Sequence, residues 1–484
     1  MLENLSWTDV IAQGDVDIQA TMIMERIVHV LDSSCPERTV RIFQVDPPWM
    51  TPVLKYLLNR RHRILSRNPA SEKLSVLNNR ITVNVQKAKA DFRKRLGSTG
   101  TARWWQAIKP KFSASGSNGS VRHDVEALNS HFVKVSTDED YTPPIMLSSC
   151  CSIRLDSMEV QQELDKIRKT SSGPSRIPFW VFKLCSKQLL HVITAFFQNC
   201  LSSQKIPALF KKELITPIPK TSKPQSANDY RPIAVTDVLA RVFERIILRR
   251  YMPNVLKFLP AEQHGFRAGR STVSALIDLH SKILESIKET GNAYVVTIDL
   301  TKAFDTIRHV SCIDNAINME IDSFLVNLLN NFLCGRIRAV CNGPYCSSWQ
   351  GTNRGVGQGT VQGPILYLIA TAFIKIFQPY VSFADDTSII FDGCTGQDDI
   401  SCSVQTLKDQ FSKIGLALNA AKTNIMSVPA RRAGDYNGAL NRQLKILGVE
   451  IDDCLKITRH ILAKCKRASS DLFALTKIKV ILCM

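Results

Sequence analysis

Two apolar runs, residues 380–384 (YVSFA) and 388–391 (SIIF), close on adjacent carboxylates, Asp385 and Asp386. Short β-branched and aromatic runs read as strands, so residues 381–390 are expected to form a hairpin turning at 384–386. That turn would hold two carboxylates at the tip of a buried hairpin, where desolvation is costly unless a cation neutralises them. The pairs Asp398-Asp399 and Asp452-Asp453 lack such flanks, so the dipeptide alone carries no signal. A third carboxylate, Asp299, ends the apolar strand expected over residues 294–300. Oxygen donors without His or Cys suit Mg²⁺ rather than zinc, and two such ions about 4 Å apart can serve a phosphoryl-transfer reaction. On these residues alone, unrelated surface acids remain the alternative.

The rest of the chain supplies helices and short strands in an order no simple repeat explains. Helices are expected over residues 160–169 and 179–201, and an extended segment over 213–218 that Pro219 stops. Val238, Leu239, Val242, Phe243, Ile246 and Ile247 form one face of a further helix, with Arg241, Arg245, Arg249 and Arg250 on the other. The mixture predicts an α+β enzyme core.

Charge narrows the partner. Lys and Arg number 62 against 43 Asp and Glu, a net charge of +19, which favours a polyanion. Residues 51–111 hold fifteen Lys or Arg and two acids. Such a surface suits phosphates through counterion release, and a merely solvated helical face is the alternative. Val53, Leu54, Leu57, Leu58 and Ile64 give this stretch a helical stripe, and Trp104-Trp105 are either core or a base-stacking pair. The Ser/Gly-rich 112–121 and the acidic 138–144 read as linkers. The fourteen Cys follow no zinc spacing, no secretory pattern follows Met1, and the apolar run 364–374 is too short for a bilayer. An intracellular protein, nuclear or cytoplasmic, with free thiols and no membrane partner is expected.

Seven ordered motifs resemble a known family. Asp299-Leu-Thr-Lys-Ala-Phe-Asp305, Gly355-Val-Gly-Gln-Gly-Thr-Val-Gln-Gly-Pro364 and Phe383-Ala-Asp-Asp386 are similar to the three palm motifs of reverse transcriptases, in order. Pro217-Ile-Pro-Lys220 with Asp229-Tyr-Arg-Pro-Ile233, and Gln263-His-Gly-Phe-Arg267 with Gly269-Arg-Ser-Thr272, resemble the fingers of non-LTR (LINE-type) retrotransposon enzymes. Gly415-Leu-Ala-Leu-Asn419, Lys422-Thr423 and Leu447-Gly448-Val449 resemble that family's last palm motifs and primer grip. Asp46-Pro-Pro-Trp-Met-Thr51 resembles the connector that precedes such polymerases. The chain therefore looks like a fragment of a retroelement polyprotein without the endonuclease and most of the thumb.

The resemblance implies a right-hand polymerase of α+β class: a mostly helical basic extension for RNA binding at 1–112, a linker at 113–149, fingers at 150–290, a palm with an antiparallel sheet at 291–430, and primer grip with the start of a thumb at 431–484. It implies RNA-directed DNA polymerase activity on an RNA template and DNA primer, with deoxynucleoside triphosphates and two Mg²⁺. Asp299 and Asp385 would bridge the metals, with Asp386 a less direct neighbour. Phe304 would be the steric gate against a ribose 2′-hydroxyl; without the motif it reads as core packing. Arg231 and Lys220 would hold the triphosphate, and Gln358 and Gly359 would form the turn that approaches the nucleotide. Lys422 would protonate pyrophosphate, or is a surface lysine. Asp305 reads as structural.

Departures from the pattern raise a second reading, a decayed fragment that only binds nucleic acid. Gly173-Pro-Ser-Arg-Ile-Pro178 has Arg176 where the family has a turn glycine, so strain is expected there. Gly357-Gln-Gly-Thr360 replaces Pro-Gln-Gly-Ser, Gln362 stands at a usually apolar place, and the stretch from 364 to 383 is several residues short.

Overall fold

A computed structural model describes residues 5–35, 40–43, 46–47, 49–68, 71–96, 124–149, 153–377, 379–420, 422–430 and 441–482. Trp104-Trp105, Cys150-Cys151 and residues 97–111 of the basic run lie outside them. The chain forms two compact units, Met1–Val30 with Val121–His460, and Leu31–Ser120 with Ile461–Met484.

In the second unit, helices α1 (Pro52–Arg67) and α2 (Lys73–Leu96) pack through Leu54, Leu57, Leu77 and Ile81. Thr51 starts α1: its hydroxyl accepts from Leu54 N at 3.2 Å, and Pro52 fills the position where no donor is needed. Val53, expected in the apolar stripe, is 57% exposed. Arg60, Arg63, Arg67, Lys73, Arg80, Lys87 and Lys89 all stand exposed on these helices.

The first unit holds the motifs. Residues 113–149 are not linker throughout, because Val125–Val135 is a helix (α3) that buries Leu128 and Phe132 against Ile215, Tyr230, Ala234 and Val340. Nor do residues 1–30 group with the basic stretch: Asn199 donates to Gln19 Oε1 at 2.9 Å and to Gly14 O at 3.1 Å, which ties them to the helix Ser186–Ser202. The helix expected over 179–201 breaks at Cys185 into Phe179–Leu184 and Ser186–Ser202, and the one expected over 160–169 is Ser157–Asp165 (α4).

Strands β1 (Lys212–Pro219) and β2 (Tyr230–Val235) pair antiparallel, Thr216 opposite Ile233, and β1 also pairs parallel with β5 (Arg336–Asn342). Prolines 217 and 219 are tolerated because β5 pairs only with residues 212–215 of β1. After β2 run helices α5 (Val238–Phe258) and α6 (Thr272–Thr290). The free-thiol expectation fails at one place. Cys341 and Cys346 lie directly opposite in the hairpin of β5 with β6 (Tyr345–Cys346) and are disulfide-bonded, because the register sets their Cα atoms 4.2 Å apart.

The central sheet is antiparallel, in the order β11 (Asn424–Pro429), β3 (Asn292–Ile298), β9 (Asp386–Asp392), β8 (Tyr380–Phe383). Helix α6 covers it through Ala275, Leu279 and Ile283, which meet Val295, Ile390, Met426 and Val428. Its register decides where the chemistry goes. Ile298 faces Thr387 and Phe383 faces Asp386, so Asp299, one residue past β3, reaches the level of the β8–β9 turn. The turn is as short as the sequence implied, with Ala384 at φ +58°. Gly265 touches it closely: a Cβ there would lie 2.1 Å from Ala384 N, so the loop 262–266 can back the hairpin only with glycine at that position. His264 N donates to Ser382 O at 2.8 Å and Ser382 N to Glu262 O at 3.0 Å.

Candidate active site

A cavity of about 550 Å³ opens at the end of the central sheet, lined by Asp299 and Asp385 together with Lys220, Arg231, Phe304, Gln358 and Lys422. Seven of the residues singled out from the sequence therefore meet at one place. Asp386 and Gly359 do not line it. Asp386 begins β9 on the exposed side of the turn. Gly359, at φ +115°, lets the turn 355–363 lie against β2: a Cβ would come 2.4 Å from Ala234 O, and Ala234 N donates to Gln358 O at 2.6 Å.

Each wall has a local cause. Strand β4 (Leu300–Thr301) pairs with β10 (Ala417–Leu418), and Asn419 N donates to Asp299 O at 2.9 Å. Lys422 N in turn donates to Asn419 O, and Lys422 Nζ reaches Asp299 Oδ2 at 3.2 Å. Lys220 is held on the other hairpin by its Nζ bond to Asn228 O at 2.8 Å. The side chain of Arg231, exposed on β2, makes no hydrogen bond or ion pair among the described residues. Phe304 stacks on buried Tyr367, centroids 5.0 Å apart and planes 20° from parallel, and meets Phe266 edge-on.

Burial pushes the Asp385 carboxyl above the usual carboxylate range and Asp299 adds to the push, while its own backbone N–H, Arg231 and Lys422 oppose it. Asp386 moves the same way, from desolvation first and then from Asp385 and Asp299. Asp385 forms no ion pair among the described residues, so an unneutralised carboxylate faces the cavity. Such oxygen donors fit a hard divalent cation. The three carboxylates do not gather within 4.8 Å as a set; among the described residues only Asp452, Asp453 and Cys454, at the end of the last strand, meet that spacing.

Residues 218–451 match the reverse transcriptase (RNA-dependent DNA polymerase) family. Over these residues the chain is similar to the reverse transcriptases. The probable RNA-directed DNA polymerase from transposon X-element of Drosophila melanogaster is 27% identical over 302 residues, covering 58% of this chain and 33% of that protein. The RNA-directed DNA polymerase from mobile element jockey of the same fly is 26% identical over 321 residues, 60% and 34%. A Pol polyprotein of retrotransposable element R2 from Popillia japonica is 27% identical over 254 residues, 49% and 35%. The chain thus spans about a third of the length of these relatives. An apo telomerase structure from Candida tropicalis aligns at a TM-score of 0.36 and 14% identity, over 51% of this chain and 54% of that one.

The cavity also contains residues to which sequence reasoning assigned no role. Lys302 and Asn419 sit inside motifs that were recognised, without any sign of what their side chains do. His131 comes from α3, upstream of the matched family region and inside the stretch expected as linker; the spacing of Val125, Leu128 and Phe132 is the signal that could have found a helix there. Asp305 is buried under the loop, and burial pushes its carboxyl up to about 6 against the pull of Arg338 and Lys302. Gln362, the polar residue at an apolar place, is buried 3.5 Å from the Tyr251 hydroxyl, which donates to its Oε1. Among the described residues no helix is long and apolar enough to cross a membrane.

Proposed function

We propose that the chain adds deoxynucleotides to the 3′ end of a DNA primer on an RNA template, as the polymerase of a non-LTR retrotransposon. The observation that carries this is the meeting of Asp299 and Asp385 with Lys220, Arg231 and Phe304 in one cavity. In this reading residues 150–290 are fingers, 291–430 palm, and 431–484 the primer grip with the start of a thumb. The helical stretch before them, with its exposed cations on α1 and α2, adds RNA affinity. The turn Leu447-Gly448, with φ of +48° and +83° between β12 (Gln443–Ile446) and β13 (Val449–Asp452), has the hairpin geometry a primer grip needs.

Asp299 and Asp385 are the carboxylates suited to two Mg²⁺, which when bound would activate the primer hydroxyl and stabilise the leaving pyrophosphate. The Arg231 side chain, without a hydrogen bond or ion pair among the described residues, is available to the triphosphate, and Lys220 and Lys302 add charge beside it. Phe304, stacked on Tyr367, supplies the bulk that would exclude a 2′-hydroxyl. Lys422 orients Asp299 and carries a proton that departing pyrophosphate can take.

Primer extension on an RNA template tests this directly. Asp385→Asn should abolish extension and leave RNA affinity within about twofold, since the amide keeps the shape and loses the charge. Undiminished extension by that variant would overturn the assignment. The second reading, a chain that binds RNA without extending, is favoured by one observation, Arg176 held at φ +59° in a turn suited to glycine. No extension by the parent chain at any template concentration with Mg²⁺ present would decide for it.

A further inference from the structure

A second concave surface lies on the first unit, a groove of about 780 Å³ that shares no lining residue with the catalytic cavity. Seven cations line it and one carboxylate, Glu163. They come from three helices and a loop: Glu163 lies on α4, Lys166, Arg168 and Lys169 follow it, Lys183 lies on the helix Phe179–Leu184, and Arg241, Arg245 and Arg249 are successive turns of α5. The arginine face that the sequence sets opposite the apolar face of this helix is therefore one wall of a groove.

Its internal bonding leaves the positive charge facing outward. Glu163, with a side chain 1% exposed, bonds Arg245 Nε at 2.7 Å, pairs with Arg249, and lies 3.5 Å from Lys166. Arg241 donates to Thr170 Oγ1 and Ser171 O, and Lys183 to Ile167 O at 2.9 Å, so both fix the loop 167–171 through neutral oxygens. Nearby acids are engaged elsewhere: Asp165 with Gln161 and Ser186, and Glu159 with Arg250. Arg168 and Lys169 are exposed and make no ion pair or hydrogen bond among the described residues. Like charges gathered in a concave surface repel one another, and the repulsion is relieved by a bound polyanion. Seven cations from separate elements and no aromatic lining match a phosphodiester chain better than a single base.

The geometry points to a second nucleic-acid site: the groove between α4 and α5 holds the phosphate backbone of a single RNA strand outside the catalytic cavity, with Lys166, Arg168 and Lys169 as its outer contacts. This deepens the polymerase reading, and binding measured without primer or nucleotides keeps its outcome separate from extension.

The full chain is titrated with a fluorescent single-stranded RNA homopolymer at several salt concentrations, beside the triple variant Lys166→Gln, Arg168→Gln, Lys169→Gln. These side chains are exposed, and the Glu163–Arg245 pair stays intact. Three lost phosphate contacts should flatten the log–log salt slope by about 2. A control variant, Lys257→Gln, Lys288→Gln, Lys408→Gln, removes equal charge from exposed sites outside the groove and should leave the slope nearly unchanged. An equal loss in both variants would overturn the proposal, because overall charge would then explain it. So would an unchanged slope in the triple variant. Inorganic tripolyphosphate that displaces the RNA at stoichiometric concentration would also overturn it, showing a compact-anion site instead of a strand site. Should RNA binding follow the proposal while the parent chain extends no primer, the groove stands and the polymerase reading falls.

Discussion

Lys302 donates a hydrogen bond to His131 Nε2 at 3.2 Å, joining two residues 171 positions apart. The lysine sits at φ +51° just after β4, and the histidine comes from α3. An ammonium can only donate, so His131 accepts as the neutral ring. Burial, then Lys302, hold its pKa below the ordinary histidine value, which keeps it neutral. Replacing His131 with Ala should leave the Lys302 ammonium without its acceptor and swing it off the triphosphate. A hydrogen bond to a charged group is worth roughly 1.5–3 kcal/mol, so KM for the deoxynucleotide should rise about tenfold or more with kcat nearly unchanged. His131→Gln, which can still accept, should recover part of the loss. Steady-state primer extension reads both constants, and a fall in kcat at constant KM would assign His131 another role.

Phe304 has a second partner, Tyr367, and this shapes the test of sugar selection. Truncation to Ala removes the stack as well as the gate. Phe304→Val keeps apolar bulk over Tyr367 while shortening the side chain toward the sugar. Ribonucleotide incorporation relative to deoxynucleotide should rise by roughly 10- to 200-fold, the range a small steric change commands. Competition assays with paired nucleotides measure it; unchanged discrimination would move the gate elsewhere.

Arg176 was legible as a strained position from sequence, because an arginine replaces a turn glycine, and it does adopt φ +59°. The loop cannot relax easily: Gly173 lies against Thr236 O and Asp237, and Ser175 N donates to Asp237 Oδ2 at 3.3 Å. A left-handed non-glycine residue costs about 1–2 kcal/mol, and glycine returns part of that gain as unfolded-chain entropy. Arg176→Gly should therefore stabilise by about 1 kcal/mol. A urea midpoint that stays put or falls would show that the arginine side chain offsets its own strain.

The parts of the site that could be read from sequence are those where chemistry and local pattern coincide. The β8–β9 hairpin announces itself because apolar strands flank Asp385, and Asp299 follows a β-branched run. What joins them is the β3–β9 register, a long-range pairing that no local pattern encodes. His131 was hidden for the same reason: α3 sits among linker-like segments, and only its packing on β1, β2 and β5 brings it to the cavity. The Cys341–Cys346 bond likewise depends on which residues a hairpin sets opposite, and the Cys count alone is silent on that.

Glu244 was invisible as a titrating group, being one acid on an arginine-rich helix, yet it is 2% exposed on α5. Its Oε2 accepts from Val361 N at 2.8 Å and Gln362 N at 3.2 Å, anchoring the turn that carries Gln358. Burial pushes its carboxyl up to about 7, against the pull of Arg336 and those two N–H groups. A carboxyl raised on folding binds its proton more tightly in the folded chain. Its stabilising effect is therefore complete below about 4.5, where both states are protonated, and is lost as pH rises through about 7. The loss is on the order of 3 kcal/mol at about 1.4 kcal/mol per pH unit. Asp305, raised to about 6, gives a slope of the same sign, and His309, lowered to about 4, gives the opposite one below its ordinary value of 6.5. The difference between parent and Glu244→Gln isolates the one group, because the amide oxygen can keep both backbone bonds without titrating. Urea midpoints should nearly coincide at about pH 4 and diverge by about pH 8, with the variant the more stable. Parallel midpoints across that range would mean that Glu244 is ionised throughout, held by Arg336.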